Sequence, residues 1–389
     1  MRVLHVIPVL APRYGGPSQA IVGMCTALLQ VGTDVLVATT DGNGPEHLPV
    51  VLERPVVHAG VPTIFFRHQW SDSLHYAPRL AGWVAAHAAE FDVVHIHAIF
   101  SHPGPAAARA CVRRDIPYVV RPLGHLDPWS LQQHRLRKRL VWQLWARPMV
   151  KHAAVLHYTT AQEQRLAERL LGPTPGAVIP LGVGDELLRR PPAPLHAAEH
   201  VPGLSDHSYV LALSRIHPKK RLDLLIDVFL EVTAPPDLQQ WRLVLAGDGP
   251  ADYVSALRQQ VAARGAGQRV LFPGWLAGQD RLAVLRNAAL MALPSQQENF
   301  GLAVVEALAC GVPVLISSEV NLADEVSAAG AGWVAPLDRA ALVSALAHAL
   351  ADAPERQRRG AAGVELASAR FTWRRVAEQL TTLYTRLRR

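Results

Sequence analysis

Two glutamates that flank a glycine form the pattern with the most chemical content in this sequence. Glu298 and Glu306 are separated by seven residues, and Gly301 lies between them at the start of a predicted helix. The free amides and the positive dipole end of a helix bind anions, and a glycine lets the ligand approach the backbone. A phosphate here would have a carboxylate on either side, placed to bind the hydroxyl groups of a diphosphate-linked sugar and of a ribose. The alternative is that both acids only stabilise the helix dipole.

A basic turn earlier in the chain offers cations for the same ligand. Arg215 and Lys220 lie on either side of Pro218. Arginine binds phosphate as a fork and lysine binds it as a point charge, so the two can converge on one diphosphate. Lys219 and Lys220 are two of only four lysines in the chain. The alternative is a solvated basic turn without a ligand.

Three histidines lie on or shortly after one predicted strand. His95 and His97 are two residues apart and therefore face the same side of the strand, and His102 follows. No carboxylate or thiol at ligand spacing completes a zinc site around them. The sequence therefore favours histidines that line a cleft at the carboxyl end of the strand, with a zinc site as the alternative.

A pair of glycines in the second half has the spacing that begins a dinucleotide-binding motif. Gly247 and Gly249 follow a predicted strand, but Asp252 stands where the third glycine of that motif belongs. We therefore predict a tight turn here and not a dinucleotide site.

The segment 134–151 combines cations with apolar residues at helical spacing, among them Trp142 and Trp145. This pattern is typical of a helix that lies on an anionic membrane surface. The alternative is a helix with a buried tryptophan stripe and a solvated basic face. Nucleic-acid binding is not expected, because no recognisable module accompanies the basic residues.

Alternating strands and helices must position these residues. In the first half, a strand at 3–10, a glycine-containing loop, a helix at 18–30 and a strand at 34–39 form a βαβ unit. The alternation restarts at 209, after a proline-rich segment, and continues to 351. Each half is therefore predicted to be a doubly wound parallel α/β domain with ligands at the carboxyl ends of its strands.

The length of 389 residues and the hydrophobic content of 50% suit two domains and exclude a mainly disordered chain. We predict a first domain at 1–190, a linker at 191–204, a second domain at 205–370, and a helix at 371–389 that crosses back to the first domain. No apolar run approaches the roughly 20 residues that span a membrane.

Charge and cysteine content restrict the partners and the compartment. The 39 basic residues exceed the 32 acidic ones and give a net charge of +7, which favours anionic partners. Cys25, Cys111 and Cys310 lie far apart, so we expect reduced thiols and a cytoplasmic protein.

Several of these segments, in this order and spacing, resemble one enzyme family. S-R-I-H-P-K-K-R-L-D at 214–223, G-D-G-P at 247–250 and E-N-F-G-L-A-V-V-E at 298–306 are similar to the nucleotide-sugar domain of glycosyltransferase family 4. R-P-L-G-H-L-D-P-W-S-L at 121–131 resembles the acceptor domain of bacterial polysaccharide transferases in that family. The resemblance implies a GT-B fold, with two Rossmann-like domains facing a central cleft, and a retaining reaction.

The resemblance also implies a role for each matching residue. Arg215 and Lys220 would bind the donor diphosphate. Glu298 would contact the donor sugar near the reacting carbon, and Glu306 would bind the ribose. The donor would also touch the glycine loop of the first domain and the amides at the helix start: Gly15, Gly16, Asn299, Phe300, Gly301 and Leu302. Because cations and a helix dipole would neutralise the leaving group, no metal or other cofactor is expected.

Two positions depart from the family pattern. Asn299 stands where most members have glycine, although a subgroup resembles E-N-F-G. Leu123 stands where many members have a histidine that approaches the donor sugar. His125, two residues further on, is therefore the candidate to take that role.

The activity implied by the resemblance is transfer of a hexose from a nucleoside diphosphate sugar to a hydroxyl of a glycan or lipid-linked acceptor, in surface polysaccharide biosynthesis. A lipid-linked acceptor would suit a cytoplasmic enzyme at the inner face of the membrane, held there by the segment 134–151. One alternative is a GT-B enzyme that is not a transferase, such as a sugar-nucleotide epimerase. The other is a catalytically silent protein that binds nucleotides or glycans.

Overall fold

Two compact units make up the computed structural model of the chain. The first unit comprises 1–182 together with 373–389, and the second comprises 183–372. The structure describes residues 1–70, 74–132, 139–189 and 196–388.

The first unit is built on a sheet of eight strands with helices in the connections. Its strands are β1 (Arg2–Val9), β2 (Asp34–Thr40), β5 (Pro55–His58), β6 (Val61–Phe66), β7 (Val93–His97), β8 (Tyr118–Arg121), β9 (Val155–Tyr158) and β10 (Gly176–Val178), and β3 (Gly42–Asn43) and β4 (Glu46–His47) form a separate small hairpin. Its helices up to residue 182 are α1 (Gly16–Gln30), α2 (Pro78–His87), α3 (Pro103–Arg114), α4 (Pro128–Gln132), α5 (Arg147–Lys151) and α6 (Ala161–Leu171).

The strand order of this sheet is β10-β9-β8-β7-β1-β2-β6-β5. All neighbouring pairs are parallel except β5 with β6. In β1, every residue after Arg2 is buried. Burial on both faces is expected for a central parallel strand, which explains why the apolar run at the N-terminus predicts it well.

The second unit has a parallel sheet of six strands in the order β13-β12-β11-β14-β15-β16. These strands are β11 (Tyr209–Leu213), β12 (Arg242–Ala246), β13 (Val270–Gly274), β14 (Leu290–Leu293), β15 (Val314–Ser317) and β16 (Gly332–Ala335). The helices are α7 (Asp185–Leu188), α8 (Leu222–Val232), α9 (Ala251–Ala263), α10 (Gly278–Arg286), α11 (Leu302–Ala309), α12 (Ala323–Ala329), α13 (Arg339–Ala351) and α14 (Ala353–Arg370).

The last helix, α15 (Trp373–Leu387), belongs to the first unit, where it packs against α1. Its buried residues Val376, Leu380 and Tyr384 recur every four positions and form one face. The indole of Trp373 fills space that only glycine leaves at Gly23, since a Cβ there would overlap the ring. The first unit is therefore completed by the C-terminal residues.

The domain boundaries differ from those predicted. The chain passes between units at 182/183 and 372/373, whereas the sequence places the first domain's end at residue 190. Residues 191–195 of the predicted linker lie outside the described residues. The remainder packs in the second unit, because its apolar side chains Ala197, Val201 and Leu204 are buried there despite the surrounding prolines.

The described part of the basic segment, 139–151, is helical and contains a π-helical turn at Trp142–Ala146. Trp142 packs against the core of the first unit, but both it and Trp145 are only half-buried, so the tryptophans form a less buried stripe than the alternative predicts. Leu140 and Leu144 are exposed, as a surface helix requires. The rest of the predicted segment, 134–138, lies outside the described residues. None of the helices in the described ranges combines the length and the apolar character needed to cross a membrane.

Candidate functional site

The strand order of the second unit makes two distant segments neighbours. β11 lies between β12 and β14. The chain first adds β12 and β13 on one side of β11 and then adds β14 on its other side. Open α/β sheets bind ligands at such a switch point, outside the carboxyl ends of the strands. Arg215 and Lys220 follow β11, and Glu298 follows β14. A hydrogen bond joins the two segments, in which the amide of Gln296 donates to the carbonyl of Lys219 at 2.7 Å.

The glycine turn after β12 supports the backbone around the predicted diphosphate arginine. A Cβ at Gly247 would overlap the carbonyl oxygen of Ser214, and one at Gly249 would overlap that of Ile216. The amide of Ile216 in turn donates to the carbonyl of Asp248 at 2.8 Å. The structure thus contains the predicted tight turn, and both glycines are needed because two backbone segments touch there.

Lys220 and Glu298 form an ion pair at the centre of this site. The ammonium of Lys220 donates to Oε2 of Glu298, and the two side chains are only 9% and 17% exposed. Arg215, by contrast, is exposed. A buried pair loses several kcal/mol when one partner is removed, because the other charge remains without compensation. Removing either side chain would therefore leave the other without its partner in a largely buried position.

The electrostatics of Glu298 follow from these neighbours. Burial by itself would raise the pKa of its carboxyl. The charges of Lys220, Lys219 and Arg215, together with the hydrogen bond from Lys220, outweigh burial and hold the pKa below its usual value. The carboxylate is thus an anion at neutral pH and accepts hydrogen bonds, which is the state that binds sugar hydroxyls.

Gly301 forms the left-handed start of α11, with φ +78°. A Cβ at this position would lie 3.3 Å from Cγ of Glu298 and 3.2 Å from the side chain of Val304. The segment before it is fixed by Glu298, whose amide donates to Glu319 and whose carbonyl accepts from Asn321. The first amides of α11 have no acceptor within the helix, so they remain available to an anion.

Glu306 is paired with an arginine that the sequence analysis did not identify. The guanidinium of Arg281, on α10, donates to Oε2 of Glu306, whose side chain is 8% exposed. Burial raises the pKa of Glu306, and Glu186 adds to this, while the charge of Arg281 opposes it. No spacing in the sequence signals this contact, because it depends on how two helices pack.

Three more of the predicted donor-binding residues lie around the start of α11. Phe300 is buried and packs edge-to-face against Phe371 with ring centroids 5.8 Å apart. Its ring therefore belongs to the core, and only its backbone can face a ligand. Asn299 and Leu302 are half-buried beside it, at the end of the loop and the start of α11.

The predicted glycine loop lies at the switch point of the first unit, where β1 has β7 on one side and β2 on the other. Gly15 has φ +71°, which only glycine adopts freely, and it precedes α1. A Cβ at Gly16 would meet nothing within 4 Å. The chain itself therefore does not require glycine at residue 16, and the space beside it is open to a ligand.

His125 also lies in the first unit, in a turn that contains left-handed Leu123 and Gly124. Its Nδ1 accepts a weak hydrogen bond from the amide of Ile99 at 3.4 Å. This bond places the proton of the neutral ring on Nε2. The turn is held by Glu163, which accepts from the amide of Gly124 at 2.8 Å.

The prediction that His95 and His97 line a cleft is wrong, because both side chains are fully buried. They lie on the face of the sheet that α15 covers, and Nδ1 of His95 bonds the hydroxyl of Tyr384 at 2.6 Å. Four histidines of β1, β7 and β9, together with an arginine of β8, form this buried cluster: His5, His95, His97, His157 and Arg121. His102 lies elsewhere, at the start of α3.

Two groups in the described part of the chain bring three metal-ligating atoms within 4.8 Å of one another. They are His5, His95 and His97 in the buried cluster, and Asp41, His47 and His68 beside the small hairpin. An arginine accompanies each group: Arg121 is close enough to lower the pKa of His5, and Arg67 lies 2.9 Å from Asp41. A nearby cation opposes binding of a metal ion, so neither group is a favourable metal site.

Comparison with family models matches almost the whole chain. Residues 200–365 match the family described as glycosyl transferases group 1, and residues 15–182 match the glycosyl transferase 4-like domain. The two matched regions fall in the second and first units respectively.

Individual relatives agree with these matches. The chain is 30% identical to the D-inositol 3-phosphate glycosyltransferase of Stackebrandtia nassauensis over 76% of this chain and 68% of the relative. It is 29% identical to the enzyme of the same name from Jonesia denitrificans over 100% of this chain and 96% of the relative. Its fold is similar to that of HepE from Anabaena, solved in complex with UDP and glucose, with a TM-score of 0.78 at 23% identity over 99% of both chains. The predicted GT-B architecture is confirmed.

Proposed function

Since the chain belongs to the group 1 glycosyl transferases and is a retaining glycosyltransferase with a nucleotide-sugar donor, we propose that it transfers a hexose to a hydroxyl of a glycan or lipid-linked acceptor. The observation that carries the proposal is the buried Lys220–Glu298 pair at the switch point of the second unit. Binding of a diphosphate sugar satisfies both charges at once, since Lys220 turns to the diphosphate and Glu298 to the sugar hydroxyls.

The donor-binding residues of the second unit contact different parts of the donor. Arg215 and Lys220 neutralise the charge that develops on the diphosphate as the bond to the sugar breaks. The amides at the start of α11 bind the distal phosphate, since the helix dipole is positive there. Glu306 binds the ribose hydroxyls, and Arg281 opposes the rise in the pKa of its carboxyl that burial causes. The acceptor oxygen bonds to the anomeric carbon on the face from which the diphosphate departs, so the configuration is retained. The bond from that carbon to the diphosphate oxygen breaks, and the departing oxygen takes the proton of the acceptor hydroxyl.

We further propose that Gly16 and His125 contact the donor. Gly16 supports this role because the space beside it is open. His125 is assigned this role because it stands two residues from the position at which many family members have a histidine. The acceptor class follows from the resemblance to polysaccharide transferases, and we propose surface polysaccharide synthesis at the inner face of the membrane as its context. The names of the relatives add inositol phosphate as a second acceptor to test.

The proposal is tested with the purified protein, UDP- and GDP-hexoses as donors, and monosaccharides, lipid-linked sugars and inositol phosphate as acceptors. Glu298→Gln is expected to lower transfer by roughly 100-fold or more, since it removes a charged contact to the reacting sugar. Glu319→Gln is the matched control, because Glu319 is exposed and contributes its carbonyl oxygen to the same loop.

Three outcomes would contradict the proposal. Full transfer by the Glu298→Gln variant would remove Glu298 from the site. Release of an epimer or a free sugar without any acceptor would identify an epimerase-like enzyme. Donor binding without turnover on any acceptor would identify a silent binding protein.

A further inference from the structure

The described residues that follow β6, 67–70 and 74–77, lie at the carboxyl edge of the first unit's sheet. β6 is separated from β7 by β2 and β1, yet the loop reaches the segment that follows β7. The amide of His102 donates to the carbonyl of Leu74 at 2.8 Å, and the amide of Ala77 donates to Nδ1 of His102 at 3.3 Å. His75 also packs against Tyr14, which follows β1, with ring centroids 6.0 Å apart. Residues 74–77 therefore lie at the switch point where open α/β sheets bind ligands.

This loop presents an aromatic platform, which we define as Trp70, Tyr76 and His102. The rings of Trp70 and Tyr76 are parallel, with centroids 4.6 Å apart and an interplanar angle of 5°. Tyr76 in turn packs against His102 at 4.5 Å. The backbone supports the stack, since the amide of Gln69 donates to the carbonyl of Tyr76 at 2.7 Å. Trp70 is thus held in one orientation by its neighbours.

Trp70 is nevertheless 85% exposed, the largest exposed fraction among the large apolar side chains of the described residues. Its φ of +68° is a left-handed conformation, which costs about 1 kcal/mol or more for a residue with a side chain. The chain gains no burial of the second indole face in return. An exposed, preorganised aromatic ring at a ligand-binding edge is the arrangement expected of a recognition surface.

The chemistry of the platform selects an uncharged ring with both apolar and polar groups. An aromatic face carries negative partial charge and attracts polarised C–H groups, which a pyranose presents on one side of its ring. Hydroxyl groups at the edge of such a sugar require hydrogen-bond partners. His102 supplies one, because acceptance from Ala77 at Nδ1 leaves the ring proton on Nε2.

We propose that a neutral sugar ring of the acceptor stacks on the exposed face of Trp70, with Tyr76 and His102 fixing its orientation. The inference rests on the proposed function, because it assigns the acceptor side of the same transfer. It commits to a saccharide acceptor, and inositol phosphate becomes an outcome of the test.

The test measures sugar binding directly, without donor. Saturation-transfer difference NMR on the full chain uses the methyl α- and β-pyranosides of glucose, mannose and galactose as probes. We expect saturation of the C–H protons of at least one of them, and a roughly 10- to 100-fold weaker affinity in Trp70→Ala, by analogy with aromatic stacking of bases. Trp70→Phe keeps a ring at this position and is expected to retain binding.

Trp275→Ala is the matched control, since Trp275 is also an exposed tryptophan but lies in the second unit. It should leave binding of the sugar unchanged. Equal sugar binding by Trp70→Ala and the natural protein would overturn the proposal, as would an absence of binding with all six probes. Binding of inositol phosphate alone would also overturn it.

A donor measurement separates this proposal from the proposed function. Thermal stabilisation by UDP- or GDP-hexoses should be the same in Trp70→Ala and in the natural protein, because the change is confined to the acceptor side. If no donor stabilises the natural protein, the proposed function fails irrespective of the sugar result. If donor transfer occurs but Trp70→Ala changes nothing, only the platform fails.

Discussion

Acidification to pH 5 should destabilise the first unit through its buried histidines. Burial, with a contribution from Arg121, lowers the pKa of both His5 and His157 from 6.5 to about 3. In the unfolded chain the same rings titrate near 6.5, so the unfolded state binds more protons than the folded state as the pH falls. Stability is therefore complete above about pH 6.5 and is lost as the pH falls toward 3.

The magnitude follows from these two shifts. One pKa unit corresponds to about 1.36 kcal/mol, so between pH 7 and pH 5 each histidine costs about 1.9 kcal/mol and the pair about 4 kcal/mol. Burial also lowers the pKa of His95 and His97, which adds a loss of the same sign. The population of the opened first unit should thus rise several-hundred-fold or more.

Cys25 provides the assay, because it is fully buried in the first unit. Its rate of reaction with 4,4′-dithiodipyridine, located by mass spectrometry and divided by the rate in the urea-unfolded chain at the same pH, reports opening of this unit. His157→Gln should reduce the pH-dependent loss of stability by about 1.9 kcal/mol, the share of one ring. A loss smaller than about 1 kcal/mol between pH 7 and pH 5 would refute the assignment of neutral, buried rings.

Three further substitutions test the site. Gly16→Ala should lower donor turnover without lowering the melting temperature, because its Cβ meets only open space; unchanged turnover would remove Gly16 from the donor site. Gly247→Ala should destabilise the second unit by about 2 kcal/mol or more in urea unfolding, since its Cβ would overlap the carbonyl of Ser214; a stability equal to that of the natural protein would contradict this close approach. Arg281→Met should destabilise the second unit by about 3 kcal/mol and weaken donor binding in calorimetry, because Glu306 loses its cation; unaltered donor affinity would show that the pair is only structural.

The elements that the sequence predicts well are those with continuous apolar runs. The predicted alternation of strands and helices from 209 to 351 is present as β11 to α13, because buried parallel strands and amphipathic helices leave a clear pattern. The long helix α14 was not predicted, since it is rich in charged residues and contains Gly360 and Gly363. The structure explains both glycines, because a Cβ at Gly360 would overlap the carbonyl of Gly311 and one at Gly363 would lie 2.9 Å from Leu308.

The candidate site likewise contains residues that the sequence predicts and contacts that it does not. Residue types and loop positions predict that Arg215 and Lys220 lie near Glu298, because strand order in a doubly wound sheet follows general rules. The pairing of Arg281 with Glu306 depends on how far one helix reaches across another, which spacing does not encode. The buried histidine cluster depends on the order β9-β8-β7-β1, which becomes known only once the sheet is assembled.

The return of α15 to the first unit has a consequence for synthesis of the chain on the ribosome. The second unit is continuous in sequence and can fold while translation proceeds, as domains generally do. The first unit emerges earlier but lacks the helix that carries Tyr384, so His95 has no hydroxyl partner and the face beside α1 stays uncovered until residues 373–387 have been translated. The first unit to be synthesised is therefore the last to be completed, and a nascent chain halted before residue 373 exposes an apolar surface that chaperones recognise.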